Sequence, residues 1–136
     1  MLYKLIDIEG IGERYATMLL EKAGIENQKQ LLEACGHRHD RESLAAETGI
    51  SYYLLLKWAN RADLGRIKGI GEEYADLLER CGVNSVSELA QRNATHLHQA
   101  LKDNNEQRHL VHKQPSLSQV ESWVKEAKKL PRAVFH

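Results

Sequence analysis

The chain has 136 residues, enough for one domain or for two very small units. Its 19 basic and 19 acidic side chains cancel, which excludes the strong overall field of a DNA-coating protein and confines any nucleic-acid binding to local patches. At 42% hydrophobic and 28% charged residues, the composition predicts a folded, soluble chain and excludes wholesale disorder.

The opening residues reach Asp7 and Glu9 before an apolar stretch long enough for a secretory signal can form, and no apolar run approaches the roughly 18 residues of a membrane span. Cys35 and Cys81 lie far apart with no CxxC spacing, so reduced thiols, a cytoplasmic location and no membrane association are expected. Leu5 to Ile8 predicts a short helical lead-in to a tight turn, Gly10-Ile11-Gly12. Tyr15, Met18, Leu19 and Lys22 then follow the spacing of one helix face, and Gly24 stands where a helix end needs a residue tolerant of positive φ. Further helices are expected over Asn27–Ala34, Arg41–Glu47 and Ser51–Asn60. Between the first two lies Cys35-Gly36-His37-Arg38-His39-Asp40. Its Cys35, His37, His39 and Asp40 could gather around zinc, but no second ligand cluster answers them, and solvated loop histidines with no metal are the expectation.

From Leu64 the chain repeats itself. Ile8, Gly10, Ile11, Gly12, Tyr15 and Ala16 correspond to Ile67, Gly69, Ile70, Gly71, Tyr74 and Ala75, and Gly82 takes the place of Gly24. Tyr74, Leu77, Leu78 and Cys81 repeat the helical stripe. Helices are expected over Ser85–Arg92, Thr95–Lys102 and Ser118–Leu130, with Asp103–Ser116 as a long loop. Leu55, Trp58 and Ala62 share their spacing with Val120, Trp123 and Ala127, each set following a serine N-cap, Ser51 and Ser118. The two tryptophans are expected to anchor the cores or the interface between units. The predicted fold is all-α: two tandem units, residues 1–63 and 64–136, packed as one body, each with a Gly-Ile-Gly hairpin and a second, degenerate hairpin at Thr48–Ser51 and Gln114–Ser118.

Each residue of the Gly-Ile-Gly turns has a mechanical purpose. Glycine permits backbone conformations closed to other residues, the isoleucine points inward, and Ala16 or Ala75 lets two helices approach. The turn amides and the next helix N-terminus then face outward together, a ready anion site. Glu13 and the pair Glu72-Glu73 oppose this, since carboxylates there favour the helix dipole and repel phosphate.

These motifs resemble the helix-hairpin-helix superfamily, and the whole arrangement is similar to an uncharacterised bacterial family known only as a domain of unknown function. The resemblance implies a compact helical module that binds nucleic-acid backbone without reading sequence, or serves protein contacts. It places backbone contacts at Gly10, Ile11, Gly12, Gly69, Ile70 and Gly71, with Arg14 soon after the first hairpin's second glycine; the second hairpin has Glu73 at the corresponding place, and Lys68 inside it is a partial substitute.

An alternative reading of Leu44–Asn60 as a base-reading helix-turn-helix is disfavoured, because the exposed positions Tyr52, Tyr53, Leu56 and Lys57 offer no Asn, Gln or Arg for base edges. The crowded run Tyr52–Leu56 covers every side of its helix, so Tyr52, Tyr53 and Leu56 are candidates for a partner face. From Arg108 onward basic residues outnumber acidic ones, and Lys113, Lys125, Lys128, Lys129 and Arg132 form a basic tail. No converging set of catalytic groups is visible. The sequence therefore predicts a non-catalytic binding module without cofactor or small-molecule substrate. Its expected ligand is duplex nucleic acid, bound non-specifically and sensitively to salt; the alternative is a protein adaptor.

Overall fold

The computed structural model describes residues 4–8, 10–108, 111 and 113–136. It is all-helical: a single 3-10 turn at Leu5–Asp7 precedes α1 (Glu13–Ala23), α2 (Gln28–Cys35), α3 (Arg38–Thr48), α4 (Tyr52–Leu64), α5 (Glu72–Arg80), α6 (Val86–Ala90), α7 (Ala94–Arg108) and α8 (Leu117–Lys129). Among the described residues no strand forms, and the one extended pairing is an isolated bridge between Lys4 and Asn27.

The chain divides into two compact units, Met1–Asp63 with Ala133–His136, and Leu64–Arg132. The last four residues, expected with the second unit, thus complete the first. In the first unit α3 packs on α1 and α2; in the second α8 packs on α6 and α7, and α7 on α5. Each unit has its own apolar core. The first is built around Ile11, Leu19, Leu31, Leu55, Trp58 and Val134, the second around Ile70, Leu77, Leu78, Leu97, Val120 and Trp123. Both tryptophans are buried in the core of their own unit.

Corresponding joints are built alike. Gly24 ends α1 in the left-handed region at φ 68°, and Gly82 follows α5 at φ 84°. Asn27 and Ser85 cap α2 and α6 by accepting from the amides of Gln30 and Glu88.

Two expectations are corrected. The stretch Asp103–Ser116 is not a long loop, because α7 continues to Arg108. Leu97, Leu101 and Asn105 succeed one another every four residues on the buried face, and Asn105 Oδ1 accepts from the Val111 amide at 2.9 Å. Polar side chains bond along the same helix, Gln99 to Asp103 and Asn104 to the Ala100 carbonyl, so a segment poor in apolar residues stays helical. The N-cap of α8 is Ser116 and not Ser118: its hydroxyl accepts from the Gln119 amide, and Gln119 answers in a capping box. The shift improves the repeat, since Ser116 precedes Val120 as Ser51 precedes Leu55, and in each case the later amide donates to the serine carbonyl at 3.1 Å.

The join that completes the first unit depends on a buried arginine. Arg41 is fully buried, with Nη1 donating to the carbonyls of Cys35 and Gly36 at 2.8 and 2.9 Å and Nη2 to that of Phe135 at 2.7 Å. The Tyr52 hydroxyl accepts from Nε and Nη2 at 3.4 and 3.3 Å. Phe135 returns a hydrogen bond from its amide to the Gly36 carbonyl, and its ring stacks on His37 at 4.5 Å.

Candidate nucleic-acid interface

The two Gly-Ile-Gly turns share backbone dihedrals and turn hydrogen bonds. Gly10 and Gly69 both stand at φ 92°, a region that L side chains rarely adopt. Ile11 and Ile70 are buried, and their amides donate back to Ile8 and Ile67 at 3.0 and 3.2 Å. A second constraint falls on the same glycines. A Cβ on Gly10 would stand 3.1 Å from Trp58 Nε1, and one on Gly69 would stand 3.3 Å from Trp123 Nε1. Each tryptophan also meets the tyrosine that follows the turn of its own unit, Tyr15 at 5.0 Å and Tyr74 at 5.3 Å between ring centroids. The turn therefore rests on a buried Trp, itself packed against a half-buried Tyr, in both units.

Gly12 and Gly71 differ. They occupy the N-cap positions of α1 and α5 in extended backbone (φ −80°, ψ −178° and φ −93°, ψ −170°) that any residue can adopt. Both are exposed, and a Cβ on either would meet nothing within 4 Å. Among the described residues no side chain caps either helix. Packing and backbone thus require the first glycine of each turn and leave the second unexplained. Gly10→Ala and Gly69→Ala should each cost about 1–3 kcal/mol, while Gly12→Ala and Gly71→Ala should cost less than about 1 kcal/mol, the ordinary difference between glycine and alanine at an N-cap, as urea unfolding would register.

Around the Gly-Ile-Gly turns, Arg14 and Lys68 are exposed. So are Glu13 and Glu73, whereas Glu72 is half-buried and engaged in interactions of its own. In the basic tail, Lys113 precedes α8 and its carbonyl accepts from the Tyr74 hydroxyl at 2.9 Å. Lys125, Lys128 and Lys129 are exposed on α8, and Arg132 follows it. Lys125 and Lys128 line one groove with Arg92, which the sequence reading passed over. Arg92 lies just beyond the end of α6, and nothing in its local sequence sets it apart.

The candidate partner face is not one continuous patch. Tyr53 is 79% exposed, but Leu54 and Leu56 pack against the first core, and Tyr52 is half-buried with its hydroxyl on Arg41. Tyr53 meets only the edge of Tyr52, at 5.7 Å between centroids, among the ring contacts described.

Among the described residues no group of three or more His, Cys, Asp or Glu side chains is placed to hold a metal. Cys35 is buried and desolvation pushes its thiol up to about 12, against the opposing pull of Arg41. Burial also raises Cys81, which is only half-buried. Cys81 should therefore alkylate first in the native protein at mildly alkaline pH, with Cys35 protected until unfolding, as mass spectrometry of a timed labelling would show. Because the folded state holds Cys35 protonated, its contribution to stability is complete below the unfolded thiol pKa and declines as pH rises toward 12.

No helix among the described residues is long and apolar enough to cross a membrane. No curated protein and no solved structure gives a significant match to the chain. A family described as a domain of unknown function (DUF4332) matches residues 9–130, spanning both Gly-Ile-Gly turns and α1 to α8, and the chain belongs to that family.

Proposed function

We propose that this protein is a non-catalytic module of the helix-hairpin-helix type that holds the backbone of duplex nucleic acid without reading its sequence. The observation that carries this reading is the pair Gly12 and Gly71. Serine, asparagine or aspartate would cap α1 and α5 better, by a few tenths of a kcal/mol, and neither the backbone nor the surroundings need glycine there. What glycine supplies at both places is an uncapped helix start with no side chain in front of it, the surface a phosphate oxygen needs to reach the amides. Arg14 and Lys68 stand in the same motifs as flanking cations, while Glu13 and Glu73 limit affinity and favour a weak, screened interaction. A protein-contact role draws on Tyr53, since Tyr52, Leu54 and Leu56 are engaged within their own unit.

Fluorescence anisotropy with labelled duplexes of unrelated sequence tests the reading. Affinities should be similar for all duplexes and fall as salt rises, because phosphate contacts release counterions and carry no sequence information. Arg14→Glu and Lys68→Glu should each weaken binding to every duplex alike. Absence of binding at about 50 mM salt and tens of micromolar protein would overturn it in favour of a protein contact.

A further inference from the structure

Within the second unit, the junction of α6 and α7 faces α8 across an open groove. Arg92, Asn93 and Ala94 line one side, and Glu121, Ser122, Lys125 and Lys128 line the other with Val124. On a chain of zero formal net charge this groove gathers three cationic side chains against one carboxylate. Glu121, Lys125 and Lys128 recur at i, i+4 and i+7, one stripe of α8, with both lysines exposed. Arg92 is half-buried, and its Nη1 donates to the Cys81 carbonyl at 3.2 Å. That bond holds the guanidinium in place while leaving donors of its planar fork for an acceptor outside the protein.

We propose that this groove is a second phosphate-binding site on the nucleic-acid backbone, separate in its residues from the hairpins, with Arg92, Lys125 and Lys128 as the cations and the Ser122 hydroxyl as a neutral donor. The proposal rests on the backbone-binding reading given above. A fixed arginine fork beside two mobile point charges suits the tetrahedral, multiply accepting oxygens of a phosphodiester. Glu121 keeps the site from being a uniformly positive surface and lowers its affinity for phosphate.

The test compares Lys125→Gln/Lys128→Gln with Lys29→Gln/Lys57→Gln, a pair of exposed lysines on the first unit that removes the same charge. Duplex affinity is measured by anisotropy across a salt series, with thermal unfolding checked for each protein. Removing the groove lysines should make the dependence of log affinity on log salt shallower by about 1.8 and weaken binding roughly tenfold at moderate salt, while the control pair leaves the slope near that of the parent. Equal effects of the two pairs, or no effect of the groove pair, would overturn the site. If Gly12→Asp/Gly71→Asp abolishes binding while the groove pair keeps the parental slope, the groove fails and the hairpin reading stands. If the parent binds no duplex but binds polyglutamate through the same lysines, the phosphate assignment fails together with the backbone reading.

Discussion

Arg41→Met should destabilise the first unit by about 3–5 kcal/mol, the largest effect of any single substitution considered. Methionine fills the space of the aliphatic stem but leaves the carbonyls of Cys35, Gly36 and Phe135 without the guanidinium donors that now reach them. The charge itself is stabilised where it lies, because the Cys35 and Gly36 carbonyls belong to the C-terminal end of α2, the negative end of that helix. The substitution should also release Ala133–His136, since Phe135 is held by Arg41, by its bond to Gly36 and by the His37 ring. Truncation after Arg132 removes the same contacts from the other side. The two changes should therefore be strongly non-additive, the double variant losing much less than the sum of the singles. Urea unfolding followed by Trp58 emission in a Trp123→Phe background would measure all three, and simple additivity would show that Arg41 and the tail act independently.

The Gly-Ile-Gly turns and their repetition were legible in the sequence because positive φ demands glycine, and the same demand recurs at the same spacing in Gly10 and Gly69. Helix ends at Gly24 and near Gly82 were legible for the same reason. What escaped the sequence was non-local. Arginine at the start of a helix reads as a solvated charge, and only the return of Phe135, 94 residues further on, makes Arg41 a buried one. Gly36 gave no signal either, with an ordinary helical backbone; its constraint is that a Cβ would stand 2.5 Å from the Ala133 carbonyl oxygen. Asp103–Arg108 looked like a loop because its helix buries an asparagine where the pattern calls for an apolar residue. At the candidate interface, the sequence marked Gly12 and Gly71 but could not separate them from Gly10 and Gly69. The separation came from the space around each Cα, occupied by tryptophan at one pair and empty at the other.

That separation makes the second large prediction possible. Aspartate at positions 12 and 71 should be accepted by the fold and rejected by the ligand. It is among the better N-cap residues, its carboxylate complements the helix dipole, and its side chain enters open space. The same carboxylate would occupy the first-turn amides of α1 and α5 and place a negative charge where the proposal puts a phosphate. Hairpins that serve only as structural joints would be indifferent to it or gain stability. The most direct measurement pairs thermal unfolding with duplex binding for the Gly12→Asp/Gly71→Asp double variant at low salt. If the turn amides hold phosphate, the unfolding temperature will equal or exceed that of the parent, with a loss of affinity of at least about a hundredfold, on the order of 1.4 kcal/mol for each hairpin. A variant that unfolds no earlier and binds duplex as well as the parent would contradict the account, because the amides of the two turns would then have no part in binding.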